Sequence, residues 1–248
     1  MYGMLNLHFF QETSHSPPIR LKHAAITRLQ ALSALEENAD THQQYIDILL
    51  RHCSVDFLES VLFKHQGDTI NYKPGCSITR AGALVLVGYS SGGLDWKIKA
   101  LHNPFRNAIN PMVREELEQL EQLATTTLNC IAPVEAKRVS CNITLDANQL
   151  GEAVSTSVLV PRPVTSVNLT DEPVYCQGNV DLRVLTSQGV IPGAAFSDYP
   201  NEKPGFLPPG GKLRIIGINR DYRPVRFKKP PLPKENFPIV SLTCQHII

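Results

Sequence analysis

Long hydrophobic runs are missing from this sequence of 248 residues. The longest clean apolar stretch, Ala81 to Val87, falls far short of the roughly 18 residues a membrane-spanning helix needs. The opening residues, MYGMLNLHFFQETSHSPP, have no basic start, long apolar stretch or small-residue cleavage site, so no secretory signal is expected. Charge of one sign is also lacking. The net charge is +1, and the chain as a whole is no polyelectrolyte seeking nucleic acid. No P-loop occurs, and no G-x-G-x-x-G leads from a strand into a helix, so no cofactor is expected. The six cysteines, Cys53, Cys76, Cys130, Cys141, Cys176 and Cys244, show no short repeated spacing. They read as buried thiols in a reducing compartment, which predicts a cytoplasmic protein. His52, Cys53, His65 and Cys76 include no CxxC or HxxxH pair, and no metal site is expected.

What is present is enough apolar material for a core: 42% hydrophobic residues against 19% charged. Most of the 19 prolines lie from Pro133 onward, where helical periodicity also ends, so strands and extended loops are expected there. The first 66 residues read as a helical unit. Ser16-Pro17-Pro18 opens a helix with an apolar stripe at Leu21, Ala25, Leu29 and Leu32, running to about Glu37. Asp40 or Thr41 can cap a second helix, and Ser54 a third carrying Phe57, Leu58, Val61 and Leu62.

Residues 67–248 form the second expected unit, a β-rich domain. The stretch from Thr69 to Tyr89 is rich in β-branched residues and broken by Pro74 and Gly75, which predicts strand, turn, strand. One long helix follows over about 111–128, capped by Asn110. Its Val113, Leu117, Leu120 and Ala124 make a short coiled-coil-like seam, read either as core or as a self-association face. Later strands are expected near 136–145, 153–160, 164–169, 173–186, 212–218, 223–228 and 237–244. The fold class is therefore α+β: an N-terminal helical unit on a mostly antiparallel body, sandwich or open barrel, with one long central helix.

Two features bear on function. The run Ala83-Leu-Val-Leu-Val-Gly88-Tyr89-Ser90-Ser91-Gly92 resembles the nucleophile elbow of α/β-hydrolases, in which a strained turn lifts a serine hydroxyl toward substrate. That resemblance implies Ser90 as nucleophile, His246 as base and Asp171, Asp181 or Asp198 as acid. Against it, Leu94-Asp-Trp96-Lys-Ile98-Lys alternates apolar and polar residues, which reads as the return strand of a hairpin turning at Ser91-Gly92-Gly93.

The second feature is the basic, proline-rich segment 212–238. From Lys212 to Lys234 it carries a net charge of +7, and Tyr222 and Phe227 are interleaved with the cations. Arg214, Arg220, Tyr222, Arg223, Arg226, Phe227, Lys228 and Lys229 are the candidate binding residues for an anionic partner, nucleic acid or an acidic protein face. In a strand these cations divide between two faces, which argues against one binding groove. A solvated edge strand that uses charge against aggregation accounts for the same residues. Pro230-Pro231-Leu232-Pro233 reads as a stiff linker to the last strand. Together these point to a non-enzymatic binding or assembly protein with an anionic or self partner, a make-up similar to viral structural and accessory proteins. The serine hydrolase is the alternative.

Overall fold

The computed structural model describes residues 4–6, 39–64, 69–91, 93–101, 110–171, 178–224 and 236–247. The helix expected from Ser16 lies outside them. The α+β class holds. Five helices come first, interrupted by a small ladder: β1 (Met4–Asn6) pairs antiparallel with β2 (Thr69–Asn71). The helices are α1 (Ala39–His52), α2 (Val55–Lys64), α3 (Arg80–Ser90), α4 (Leu94–Leu101) and α5 (Pro111–Cys130).

The strand, turn, strand expected before residue 90 is corrected by the structure. Only β2 is extended, and the apolar run that follows is α3. Thr79 caps it, its hydroxyl accepting from the Gly82 amide at 3.0 Å. Every residue of α3 except Ser90 is buried, so no polar stripe marks its period and β-branched valines imitate a strand. Likewise Leu94–Leu101 is a helix and not a return strand: Leu94, Ile98 and Leu101 make one buried stripe. A Cβ on Gly82 would collide with Thr127 of α5, so glycine is what lets α3 and α5 pack this closely.

Buried ion pairs fix the helices against one another. Arg80 of α3 pairs with Glu59 of α2, both side chains about nine-tenths buried. On α5, Glu116 receives Arg51 Nε at 2.7 Å and meets His52 Nε2 at 2.8 Å, tying that helix to α1. Helix α5 matches its expected start, with the Asn110 side chain accepting from the Met112 amide at 3.0 Å. Its seam is used within the chain. Leu117, Leu120 and Ala124 belong to the helical core, with Val113 packed against it.

The rest of the chain supplies one eight-stranded sheet in the order β4-β9-β10-β6-β3-β5-β8-β7. Its strands are β3 (Arg138–Ile143), β4 (Val158–Leu159), β5 (Ser166–Asn168), β6 (Val180–Thr186), β7 (Ile191–Pro192), β8 (Pro204–Phe206), β9 (Lys212–Pro224) and β10 (Asn236–Ile247). All neighbours are antiparallel except β10 and β6, which run parallel. Two expectations are corrected here. The first half of the strand placed at 153–160 is the end of helix α6 (Ala147–Thr156), opened by an Asp146–Gln149 capping box, and only Val158–Leu159 is strand. The strand expected at 212–218 runs on to Pro224 as β9 and takes in the start of the one expected at 223–228, the rest of which lies outside the described residues. A second core lies under the sheet, built from Val139, Cys141, Val167, Leu182, Val184, Leu213 and Leu242 among others.

Candidate functional site

Strand alternation decides which residues gather on the other side of that sheet. Val139 pairs with Val184 and Cys141 with Leu182, and all four face the second core. The intervening pairs, Ser140 with Arg183 and Asn142 with Asp181, therefore share the opposite face with Arg138. Strand β5 extends it: Asn168 pairs with Ser140, and Val167 is the core residue. On the far side, Ser241 and Thr243 of β10 sit opposite Asp181 and Arg183. The result is a polar face four strands wide, with two arginines, hydroxyls, amides and a carboxylate.

Its inner part is tightly organised. Ser140 and Asp181 have no exposed surface. The Asn142 amide donates to Asp181 Oδ1 at 2.8 Å and to the Val180 carbonyl at 3.2 Å, while its oxygen accepts from the Gly178 amide. Asn179 exchanges two hydrogen bonds with the Leu145 backbone, at 2.7 and 2.9 Å. Ser140 Oγ lies 3.5 Å from Thr170 Oγ1. At the rim, Arg138 reaches Asp171 at 4.0 Å with both side chains exposed, a pair that contributes little rigidity.

Beside β5, a short 3₁₀ turn, Pro200–Glu202, brings the Glu202 backbone to this edge. The Asn168 side chain donates to the Glu202 carbonyl at 3.1 Å, and the Leu169 amide to the Lys203 carbonyl at 2.9 Å. Lys203 takes a left-handed conformation, φ 50°, turning the chain sharply into β8. Tyr199, half exposed, precedes the turn. A cavity of about 320 Å³ lies at the end of the β3–β6 pair, lined by residues 133–137 and 186–189. Cations, hydroxyls and amides on one face, with Glu202 in the turn beside it, can hold an anionic ligand that also carries sugar hydroxyls.

The residues singled out in the sequence fall elsewhere. Ser90 ends a buried helix and is no strand-to-helix elbow, which removes the hydrolase reading. His246 is buried in β10, its Nδ1 3.5 Å from Thr186 Oγ1 and its ring against Gly211. No hydrogen bond joins it to Ser90. The three acids are separate: Asp181 lies on the polar face, Asp171 at its rim, and Asp198 pairs with Lys64 at 2.5 Å. His52 is bound to Glu116, and among the described residues no three His, Cys, Asp or Glu side chains converge.

Of the basic segment, Arg214 and Arg220 are exposed on β9. Tyr222 and Arg223 stand opposite Pro238 and Phe237 in the β9–β10 ladder. Arg226, Phe227, Lys228 and Lys229 lie outside the described residues. The polar face itself was missed. Its signal was present as alternation, Arg138, Ser140 and Asn142 between apolar residues, but outward polar residues are the ordinary pattern of any half-buried strand.

No family model and no curated protein matches this chain. Solved structures do. The chain is similar to the ADP-ribosyltransferase HopU1 of Pseudomonas syringae pv. tomato DC3000, with 10% identity over 85% of this chain and 98% of that one, TM-score 0.53. The type III effector XopAI of Xanthomonas axonopodis pv. citri, in a truncated form, matches with 12% identity over 93% and 98%, TM-score 0.52. Exoenzyme S of Pseudomonas aeruginosa, solved with human 14-3-3 protein beta and bound to carba-NAD, matches with 12% identity over 83% and 88%, TM-score 0.50. At such identities the likeness is one of fold, and the fold they share with this chain is one used by ADP-ribosyltransferases. The non-enzymatic binding or assembly role, with its similarity to viral structural and accessory proteins, is corrected by these neighbours. Charge segregation favours that role, yet a basic strand occurs here in a fold similar to that of the ADP-ribosyltransferase HopU1.

Proposed function

We propose that this chain uses NAD as a substrate and transfers its ADP-ribosyl group to an acceptor. The observation that carries the reading is the fold likeness to HopU1 over nearly all of that enzyme. The polar face supports it with suitable chemistry. Arg183 and Arg138 supply cations for the diphosphate, and Thr170 and Asn168 supply partners for ribose hydroxyls. When the bond between nicotinamide and ribose breaks, nicotinamide leaves as a neutral base and the sugar carbon gains positive character. Glu202 is the carboxylate we assign to stabilise that charge. The acceptor then bonds to the same carbon and gives up its proton. The cysteines of the sequence show no short repeated spacing of a disulfide framework, and the proposed place of action is the cytoplasm.

The test is nicotinamide release from NAD with cell extract as acceptor, together with calorimetric NAD binding. The Glu202→Gln variant should lose about 100-fold or more in turnover while still binding NAD, the scale expected for one electrostatic stabiliser. Arg183→Ala should instead weaken NAD binding. Binding without release would remove the transfer and keep the ligand. Neither binding nor release would overturn the proposal.

A further inference from the structure

The sheet ends in a strand edge with an unusual composition. On the side away from β10, β9 is met among the described residues only by β4. Val158 and Leu159 pair with Arg214 and Leu213, and the Ile215 amide donates to the Ser157 carbonyl at 2.9 Å. From Ile216 to Pro224, no described strand pairs with that edge. Two large apolar side chains are exposed there, Ile216 at 52% and Ile218 at 46%. Lys212, Arg214, Asn219 and Arg220 are exposed on the same strand.

The strand carries a β-bulge: Ile215 pairs with Cys244 and Gly217 with Thr243, leaving Ile216 as the extra residue. The bulge changes which face each cation occupies. Arg214 stands opposite Gln245, an exposed residue, whereas Arg220 and Ile218 stand opposite Val240 and Leu242, on the side of the second core. Positive charge is thus present on both faces of one strand. A groove-binding polyanion would gain from only one of them. An added strand gains from both, because its side chains alternate between the two faces while its backbone pairs with the open edge. A second copy of this edge is disfavoured, since it would bring like charges together.

We infer that the edge of β9 from Ile216 to Pro224 docks an extended, acidic segment of another protein, by strand addition. Backbone pairing supplies the bulk of the contact. Ile216 and Ile218 receive apolar residues of the segment, and Arg214 and Arg220 select acidic ones. This inference does not depend on ADP-ribosyl transfer, because the edge is separate from the polar face.

The experiment uses the full chain and a fluorescein-labelled eight-residue peptide of two Glu-Glu-Val-Val repeats (the Glu-Val peptide), which puts acidic residues on both faces of a strand, read by anisotropy at low and moderate salt. Three comparison probes are a Lys-Val peptide, the Glu-Val peptide N-methylated at alternate residues in either phase, and a single-stranded oligonucleotide of equal charge. The Glu-Val peptide should bind more weakly as salt rises, and the Lys-Val peptide should not bind. N-methylation in one phase should abolish binding and in the other leave it, as only alternate amides of an added strand face the edge. Arg214→Glu with Arg220→Glu should weaken binding at least tenfold, with an unchanged circular dichroism spectrum confirming the fold. Equal binding of both N-methylated peptides, tighter binding of the oligonucleotide, or no loss in the folded double variant would each overturn the inference. Absence of Glu-Val binding at millimolar peptide would overturn it as well.

Discussion

The helical layer and the sheet solve the same problem, burying apolar side chains, in opposite ways. In the sheet, each strand gives alternate residues to the core and alternate residues to the polar face, so every strand records its own orientation in sequence. In the helical layer, α3 is enclosed on all sides by α2, α5 and the 3₁₀ turn Ala194–Phe196. Its sequence records burial and nothing about direction. The position that matters most to its helical form, the Thr79 cap, lies outside the apolar run. Central position costs periodicity, and a buried element must be recognised from its ends.

The difference also concerns how polar groups are handled. The helical layer buries ion pairs between helices, whereas strands β3, β5 and β6 place most of their polar residues on one face. The most damaging single change should therefore lie in the helical layer. Glu59→Ala would leave Arg80 buried without its carboxylate, and about 3–5 kcal/mol of stability should be lost in urea denaturation. A loss below 1 kcal/mol would mean that water reaches Arg80 and that the layer is less closed than its packing indicates. Next in size, Gly82→Ala should cost about 1–3 kcal/mol by forcing α3 away from Thr127. Gly151→Ala on α6 has open space around it and should be neutral or stabilising, about 1 kcal/mol apart from it in the other direction. Breaking the Asp146 cap of α6 with alanine should cost about 1 kcal/mol.

Acid separates the regions by pH window, with the smallest expected effects. Burial lowers the His246 pKa. Its neutral form is favoured in the folded state, so the sheet region should lose stability as pH falls below about 6.5, the unfolded value. Burial acts to raise the Glu116 carboxyl, but hydrogen bonds from His52 and Arg51 hold it below the ordinary range. Its contribution is present above about 4.3 and is lost as pH falls further. Hydrogen exchange followed down the pH scale should show β10 amides weakening before those of α1 and α5. The reverse order would assign the first acid transition to the helices.

These contrasts explain what was legible in the sequence. Helix α5 was readable because Asn110 caps it and Leu117, Leu120 and Ala124 alternate with exposed polar residues. Strands β3, β5 and β6 were readable from turn residues and alternation. Helix α3 was not, for the reason already given, and α6 was obscured by its valine and threonines beside a true two-residue strand. The polar face could not be seen as a site because its members come from strands distant in sequence, Ser140, Asn168, Arg183 and Thr243, and only the sheet order brings them together. Glu202 joins them through a turn whose conformation no periodicity announces.

The place of β10 has a consequence for how the chain comes to be folded. It lies between β9 and β6 and is, among the described residues, the only strand linking the β4–β9 pair to the remainder of the sheet. A nascent chain that has not yet exposed residue 247 can assemble the helices and the strands from β3 to β8, but β9 has no inner neighbour. Pairing of β10 with β6 joins residues about 60 apart in sequence, a late and slow event by its loop length. Until then the basic strand waits with its inner edge unpaired, where its charges keep it from the wrong partner during synthesis.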